Sequence, residues 1–298
     1  MKNHLNMNWY NPDHVYSDGA IEQEIYNKLV QGASETDMIK NDDRWPILYH
    51  FSPVRQNIIR SIPLPDSAEV LEIGAGMGAI TKALCQRAGH VTCVELSLLR
   101  SQINEKRNEA EDNLEIIVAN LNDIQFDKKF DLVTLIGVLE YCGKYTSGEN
   151  PYLDFFLNAY SLVKPGGDLV IAIENRMGLK YFAGAKEDHY GVPYYGLNDY
   201  PEDKGIRTFS LPEFKNLLNK AGCNDYDLYL PFPDYKFTTT LVSSDFPEFF
   251  ENSLSEEYNF GAYSLKTFDQ KKVSSALIAQ GTFVEFANSF LFIVHKPK

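Results

Sequence analysis

A short run of glycines between residues 70 and 79 carries the clearest chemical signal in the sequence. The apolar stretch 70–73 leads directly into Gly74, Gly76 and Gly78, with one residue between successive glycines. A strand that ends in glycines lets the backbone turn sharply and approach a ligand closely. A helical pattern follows the loop, so the loop opens a βαβ unit, and this context favours a nucleotide-like ligand over a tight turn that binds nothing.

Two acidic residues near the loop bear on the identity of that ligand. Glu95 ends the second predicted strand, where a carboxylate can accept hydrogen bonds from both hydroxyls of a ribose, which NAD and S-adenosylmethionine share. Glu72 favours S-adenosylmethionine, because a carboxylate suits the ammonium of its methionine moiety and is unfavourable beside a pyrophosphate. Gly74, Gly76 and Ala79 also fit the dinucleotide pattern G-x-G-x-x-G/A, so an NAD(P)-dependent oxidoreductase remains an alternative.

Strands and helices alternate through residues 67–175. The predicted strands cover residues 69–73, 90–95, 114–118, 130–136 and 167–173, and the predicted helices cover residues 79–87, 98–110 and 152–162. This alternation predicts an α/β protein with a doubly wound parallel sheet. N-terminal helices are predicted near residues 20–31 and 46–61. A later helix is predicted at residues 211–221, with strands at 225–230 and 289–295.

Five segments resemble the ordered motifs of class I S-adenosylmethionine-dependent methyltransferases: Val70–Ala79, Val91–Ser97, Val118–Phe126, Phe130–Cys142 and Leu162–Ile173. The resemblance implies a Rossmann-like, seven-stranded sheet whose last strand, here residues 289–295, is antiparallel. It divides the chain into an N-terminal helical extension, residues 1–66, and a methyltransferase domain, residues 67–298. Two acceptor-side insertions are expected within that domain, at residues 176–209 and, rich in aromatics before the last strand, at residues 231–288.

The same resemblance assigns residues to the cofactor by position, with S-adenosylhomocysteine as the product. The glycine loop would hold the methionine part, Glu95 the ribose, and Leu96 and Leu121 the adenine ring. Asn120 stands where the family often has an aspartate, but its side-chain carbonyl can also accept from the adenine amino group. The predicted cofactor residues are Glu72, Gly74, Ala75, Gly76, Gly78, Glu95, Leu96, Asn120, Leu121 and Gly137.

The acceptor side is expected on the loops that follow the fourth and fifth strands. The stretch 174–191 is polar and glycine-rich, and catalytic groups concentrate on such loops. His189 is the predicted general base, with Glu140 and Glu174 as alternatives. Arg176 and Lys180 would hold an anionic acceptor or are solvated surface charges. The predicted acceptor-binding residues are Tyr141, Asn175, Arg176 and Lys180.

A narrower resemblance bears on the acceptor. Residues 174–191, 207–210 and 229–236 are similar to bacterial methyltransferase domains found with polysaccharide glycosyltransferases, which implies a glycan or nucleotide-sugar acceptor. A hydroxyl or carboxyl group of another small molecule fits the residues equally well. The leading hypothesis is therefore O-methylation, with N-methylation left open. A non-catalytic partner protein that binds S-adenosylmethionine is a further alternative.

The composition of the chain bears on its partners, on metal binding and on its location. The chain has 28 Lys and Arg against 41 Asp and Glu, a net charge of −13, which disfavours nucleic acid and anionic membranes as partners. The four cysteines form no C-x-x-C pair, so we predict no metal site and a reduced, cytoplasmic protein. No run of roughly 18 apolar residues predicts a membrane span. The acidic charge and the aromatic insertion permit a homodimer without requiring one.

Overall fold

The computed structural model describes residues 3–202, 204–253 and 268–298. The chain divides into two compact units, which we call the first and second unit. The first unit comprises Met1–Ile136, Asn158–Leu169 and Lys296–Lys298, and the second comprises Gly137–Leu157 and Val170–His295. The predicted insertions at 176–209 and 231–288 lie in the second unit and are described only in part, because residues 203 and 254–267 lie outside the described residues.

Nine strands are described, and they belong to one mixed sheet. They are β1 (Leu5–Asn6), β2 (Glu69–Ile73), β3 (His90–Glu95), β4 (Leu114–Val118), β5 (Phe130–Ile136), β6 (Val163–Glu174), β7 (Tyr226–Phe232), β8 (Thr240–Ser243) and β9 (Ser289–His295). Their order is β1-β4-β3-β2-β5-β6-β9-β7-β8. In the first unit, β1 pairs with β4, β4 with β3, β3 with β2 and β2 with β5, all in parallel. In the second unit, β7 pairs antiparallel with both β8 and β9.

The predicted α/β, Rossmann-like class and the antiparallel last strand are confirmed, but the predicted number of seven strands is wrong. The two additional strands lie at the edges of the sheet. β1 is only two residues long, and the backbone carbonyl of His4 accepts a hydrogen bond from the backbone N–H of Ile116 on β4 at 2.8 Å. β8 lies inside the predicted aromatic-rich insertion at residues 231–288.

The described residues form twelve α-helices. They are α1 (Ala20–Val30), α2 (Glu35–Asn41), α3 (Trp45–Phe51), α4 (Asn57–Arg60), α5 (Thr81–Cys85), α6 (Leu98–Arg107), α7 (Cys142–Tyr145), α8 (Pro151–Ser161), α9 (Leu179–Phe182), α10 (Leu211–Lys220), α11 (Gln270–Ala279) and α12 (Phe283–Phe286). The single helix predicted at 46–61 is interrupted at Ser52, which precedes Pro53 and adopts an extended conformation. Proline disfavours helical geometry in the residue before it, so α3 ends there and a 3₁₀ turn, Pro53–Gln56, begins.

The N-terminal helices pack beside the glycine loop of the first unit. Buried side chains from α1, α2 and α3 form one apolar cluster with Met77 of the loop and Ile103 of α6. A buried ion pair adds to this contact, since the Arg100 guanidinium on α6 donates to Glu22 on α1 at 2.7 Å. The loop is therefore supported by residues that precede it by about 30 to 50 positions. Among the described residues, no helix is both long and apolar enough to cross a membrane.

Candidate active site

The glycine loop after β2 has a backbone that only glycine adopts easily. Gly74, Gly76 and Gly78 have φ angles of 70°, 54° and 77°, all in the left-handed region. The backbone N–H groups of Gly74 and Ala75 donate to the carbonyl of Val94 on β3, at 2.8 and 3.2 Å. The loop is thus tied to the end of the neighbouring strand while its glycines turn the chain.

Two of these glycines are needed for different reasons. A Cβ atom added at Gly76 meets no other atom within 4 Å, so the space beside this residue is open. A Cβ atom added at Gly78 lies 2.3 Å from Oδ1 of Asn104, a buried residue on α6. Gly78 therefore serves the packing of the loop against α6, whereas Gly76 leaves room for a ligand.

Glu72, on the strand before the loop, is a buried carboxylate held by neutral donors. Its Oε2 accepts hydrogen bonds from the Thr81 hydroxyl at 2.7 Å and from the Cys93 thiol at 3.2 Å. Burial raises the pKa of Glu72 from its ordinary value of 4.5 to about 7, against the lowering effect of these hydrogen bonds. A buried carboxylate that accepts from a hydroxyl and a thiol is suited to bind a cationic group of a ligand.

A cavity in the first unit is lined both by the glycine loop and by Arg55, which the sequence analysis did not identify. Its lining comprises Arg55, Glu72, Ile73, Gly74, Ala75, Ala79, Ile80, Thr134 and Ile136. Arg55 comes from the 3₁₀ turn after α3, and its guanidinium lies 4.3 Å from the centre of the Tyr49 ring. A guanidinium and a carboxylate on one cavity suit the two charged ends of an amino acid. No local pattern in the sequence pointed to Arg55.

Glu95 lies at the end of β3 and is bound by backbone amides. Its Oε2 accepts from the N–H of Gly76 and its Oε1 from the N–H of Ser97, both at 2.8 Å. Burial raises the pKa of Glu95 in spite of these bonds. A carboxylate oxygen accepts more than one hydrogen bond, so both oxygens keep capacity for a pair of hydroxyl groups.

The residues predicted to surround an adenine ring lie at the ends of β3 and β4. Leu121 is buried and Leu96 is half-buried. The Asn120 side-chain carbonyl accepts from the backbone N–H of Asn122 at 3.0 Å, and this caps a short 3₁₀ turn. All the predicted cofactor residues except Gly137 belong to the first unit. Their roles toward a cofactor stay predictions.

In the second unit, the three predicted catalytic residues come together. Ligand-type atoms of Glu140, Glu174 and His189, one from each side chain, all lie within 4.8 Å of one another. Gly137, also in this unit, approaches Tyr235 so closely that an added Cβ atom would lie 2.6 Å from the tyrosine hydroxyl. The fold therefore brings these three residues, which come from separate parts of the sequence, into one cluster.

The His189 ring lies between two carboxylates. Its Nδ1 lies 2.9 Å from Oε1 of Glu187, and its Nε2 lies 3.6 Å from Oε1 of Glu140. Burial alone would lower the pKa of His189, but the bonds to Glu140 and Glu187 outweigh burial and raise it well above its usual range. The ring is therefore a cation held between two anions, a state in which it accepts no further proton. Its role as a general base stays a prediction.

A second group of charges lies beside this cluster. The Lys236 ammonium is bonded to Oε1 of Glu174, and it also donates to Oδ1 of Asp188 at 2.8 Å. Asp188 accepts from Lys180 at 3.0 Å as well. The second carboxylate oxygens of Glu140 and Glu174 are buried, and neither has a hydrogen-bond partner among the described residues. Lys236, Glu187 and Asp188 were not among the predicted site residues.

The remaining predicted acceptor residues are engaged within the second unit. Arg176 makes two hydrogen bonds to Glu213, at 2.7 and 2.9 Å, and one to the carbonyl of Gly196. The Asn175 side-chain amide donates to the carbonyls of Glu285 and Ala287. The Tyr141 ring meets the His189 ring edge-on at 5.2 Å. The bonds of Arg176 and Asn175 connect parts of the fold, and acceptor binding by these residues stays a prediction.

Comparisons with known proteins identify similar methyltransferase sequences. Residues 71–171 match a family model described as a methyltransferase domain. The ubiquinone biosynthesis O-methyltransferase of Rickettsia canadensis is 25% identical over 206 residues, covering 63% of this chain and 84% of the relative. The demethylmenaquinone methyltransferase of Tropheryma whipplei is 26% identical over 153 residues, covering 50% of this chain and 57% of the relative.

Among solved structures, phosphoethanolamine N-methyltransferase 1 of Haemonchus contortus is similar with a TM-score of 0.51 and 14% sequence identity. It was solved with phosphoethanolamine and S-adenosylhomocysteine. The similarity covers 97% of this chain and 52% of that chain, so this chain spans about half the length of that structure. At this identity the likeness concerns the fold alone.

Proposed function

We propose that this chain, in which residues 71–171 match a methyltransferase domain, binds S-adenosylmethionine and transfers its methyl group to a hydroxyl of a small molecule. The observation that carries the proposal is the cavity of the first unit, which joins the glycine loop, Glu72 and Arg55. Methyl transfer from a sulfonium is an in-line displacement, in which the protein mainly aligns the reactants and excludes water.

The residues around the cavity fit S-adenosylmethionine in chemistry and in space. Glu72 suits the ammonium and Arg55 the carboxylate of the methionine part, and the open side of Gly76 admits the ligand beside the loop. Glu95 keeps hydrogen-bonding capacity on both oxygens for the two ribose hydroxyls. When bound, the cofactor supplies an electrophilic methyl group. The residues named here bind and orient it.

The charges of the second unit favour an uncharged acceptor. Arg176 is bound to Glu213, and Lys180 is bound to Asp188, so both of the predicted anion-binding cations already have acidic partners. Buried carboxylate oxygens of Glu140 and Glu174 are without a donor among the described residues, and an acceptor O–H would provide one. These observations support a neutral molecule with a hydroxyl group.

We propose a phenol or a hydroquinone as the acceptor class. The Rickettsia relative is named for O-methylation in ubiquinone biosynthesis and the Tropheryma relative for methylation of demethylmenaquinone. Neither is named for a glycan, so the comparisons do not support the glycan or nucleotide-sugar acceptor implied by the narrower resemblance. They give no support to a nicotinamide-dependent oxidoreductase or to a non-catalytic partner protein either.

Binding and turnover test this proposal in two steps. Calorimetry with S-adenosylmethionine, S-adenosylhomocysteine, NADH and NADPH should show binding of the first two only. Incubation with S-adenosylmethionine and a panel of catechols, hydroquinones and nucleotide sugars should then add one methyl group to a phenolic compound, as measured by mass spectrometry. Binding of NADH alone would overturn the reaction class. Methylation of the nucleotide sugars alone would overturn the acceptor class.

A further inference from the structure

We propose that Glu140, Glu174 and His189 form a binding site for a divalent ion of the first transition series. Their ligand-type atoms lie within 4.8 Å of one another, and the separation of His189 Nε2 from Glu140 Oε1 is 3.6 Å. Ligands bound about 2.1 Å from one ion stand roughly 3–4 Å apart, so small side-chain rotations bring all three into coordination distance. Two carboxylate oxygens and one imidazole nitrogen suit Mn²⁺, Fe²⁺ or Zn²⁺ better than Mg²⁺.

Two buried oxygens provide independent support for a ligand at this place. Glu140 and Glu174 are 1% and 0% exposed, and Oε2 of each has no hydrogen-bond partner among the described residues. Buried carboxylate oxygens are nearly always paired with a hydrogen-bond donor or a cation, because leaving them unpaired costs free energy. An ion bound between the two side chains would provide the missing partner for both.

The neighbouring residues hold the proposed ligands as the partners of metal ligands usually do. Glu187 lies 2.9 Å from Nδ1 of His189, and a carboxylate on Nδ1 keeps the proton there, so that an ion binding at Nε2 displaces only the Nε2 proton. The Lys236 ammonium donates a hydrogen bond to Oε1 of Glu174, so Oε2 of Glu174 is the oxygen that would coordinate the ion. The cluster thus contains both the ligands and the groups that orient them.

The inference goes beyond the proposed function, because the ion would bind whether or not a methyl acceptor is present. Three protein ligands leave coordination positions open on an ion that takes five or six. An acceptor with adjacent hydroxyl groups could coordinate there through its oxygens. Only this last role rests on the proposed function.

Electron paramagnetic resonance of added Mn²⁺ tests the site without any turnover. The full chain, stripped with a chelator, should bind one Mn²⁺ saturably, since bound Mn²⁺ loses the sharp signal of the free ion. Glu140→Gln and Glu174→Gln should each weaken binding by about tenfold or more. The matched control Glu202→Gln removes an exposed acid of the same unit and should leave the affinity unchanged.

Folding controls keep the result interpretable. Circular dichroism and S-adenosylhomocysteine affinity report whether each variant is intact, and His189→Gln replaces any carboxylate variant that does not fold. The absence of saturable Mn²⁺ binding, or equal affinity in wild type and in a folded ligand variant, would overturn the proposed site. If the wild-type protein binds Mn²⁺ and does not bind S-adenosylhomocysteine, the proposed function is overturned and the proposed metal site is not.

Discussion

The glycine-loop region of the first unit and the carboxylate cluster of the second unit hold their acidic groups in different ways. Glu72 and Glu95 are held by neutral donors, namely a hydroxyl, a thiol and two backbone amides. In the cluster, Glu174 is bonded to the Lys236 ammonium and Glu187 to the His189 ring. The first region relies on the backbone, and the second on long charged side chains.

This difference sets what a ligand can contribute to each region. Burial raises the pKa of Glu72 and of Glu95, because it disfavours the charged form of each carboxyl and the hydrogen bonds from the neutral donors offset this only in part. A ligand with an ammonium group and hydroxyls therefore gains strong interactions there. In the cluster, Lys236 and the His189 ring are already bonded to carboxylates, so substitutions of these residues should affect the stability of the fold more than cofactor affinity.

The largest expected effect is on cofactor binding and comes from Gly76→Arg. The open space beside Gly76 is the space that the ligand needs, and an arginine side chain would fill it. We expect S-adenosylhomocysteine affinity to fall by at least about 100-fold, or about 3 kcal/mol, in isothermal titration calorimetry. Retained affinity in a folded variant would mean that the cofactor does not lie against this side of the loop.

Gly78→Ala is the matched control within the same loop. Its added Cβ atom would lie 2.3 Å from Asn104 Oδ1, so the substitution should lower the free energy of unfolding by about 1–3 kcal/mol. Gly76 and Gly78 both have positive φ angles, so the two variants would distinguish an effect on cofactor affinity from an effect on packing against α6. An unchanged denaturation midpoint for Gly78→Ala would contradict the packing role.

The cluster of the second unit is tested by Lys236→Met. This change leaves Glu174 and Asp188 without the buried ammonium that they share. Removing one partner of a buried ion pair costs about 3–5 kcal/mol, so urea denaturation should show a loss of about 3 kcal/mol. Adding Glu174→Gln to this variant should recover part of the loss, because it removes the unpaired charge.

Lys272→Met provides the contrast for an exposed lysine. Its side chain is 85% exposed and lies 3.9 Å from Asp269, so its removal should change the free energy of unfolding by less than about 0.5 kcal/mol. A loss of similar size in Lys236→Met and Lys272→Met would show that the buried cluster does not stabilise the second unit.

The strands and the glycine loop of the first unit were predicted accurately from the sequence, because they depend on residues that are close together in the chain. Each of the strands β2, β3, β4 and β5 agrees with its predicted bounds, because each is a short segment of five to seven residues that is rich in apolar and β-branched side chains. The glycine loop depends on residues within ten positions of one another. Both signals are contiguous in the chain and can therefore be identified without knowledge of the tertiary structure.

The parts that the sequence did not predict depend on long-range contacts. Arg55 reaches a cavity whose other residues lie between positions 72 and 136, and Lys236 reaches Glu174 from 62 residues away. No spacing rule connects such residues. The partner of Arg176 was missed for the same reason, since Glu213 lies 37 residues beyond Arg176. Glu187 was the exception, because a carboxylate two residues before His189 is visible in the sequence.

An intermediate effect is expected for Glu72→Gln, and it depends on pH. The pKa of Glu72 rises from 4.5 to about 7 on folding, so between these values the folded state binds more protons than the unfolded state. Stability from this group is therefore lost as pH rises through about 7. Relative to wild type, the glutamine variant should be more stable at pH 8 than at pH 5, by on the order of 2–3 kcal/mol.

Urea denaturation of the ligand-free protein at both pH values measures this difference, and subtracting the wild-type curve removes the titration of all other groups. The same substitution should weaken S-adenosylhomocysteine binding at pH 8, where the wild-type group is ionised. A difference in stability that does not change with pH would show that Glu72 is already ionised, and thus better solvated, at pH 5.

The smallest effect is expected for Asn120→Asp, which restores the residue that the family often has at this position. Asn120 caps the turn after β4 through its side-chain carbonyl, and an aspartate oxygen can accept the same bond from Asn122. Either side chain can also accept from an adenine amino group, so S-adenosylhomocysteine affinity should change by no more than about threefold. A larger gain would mean that the charge itself is used in recognition. The adenine end would then resemble the charged cluster of the second unit more than the backbone-held loop beside it.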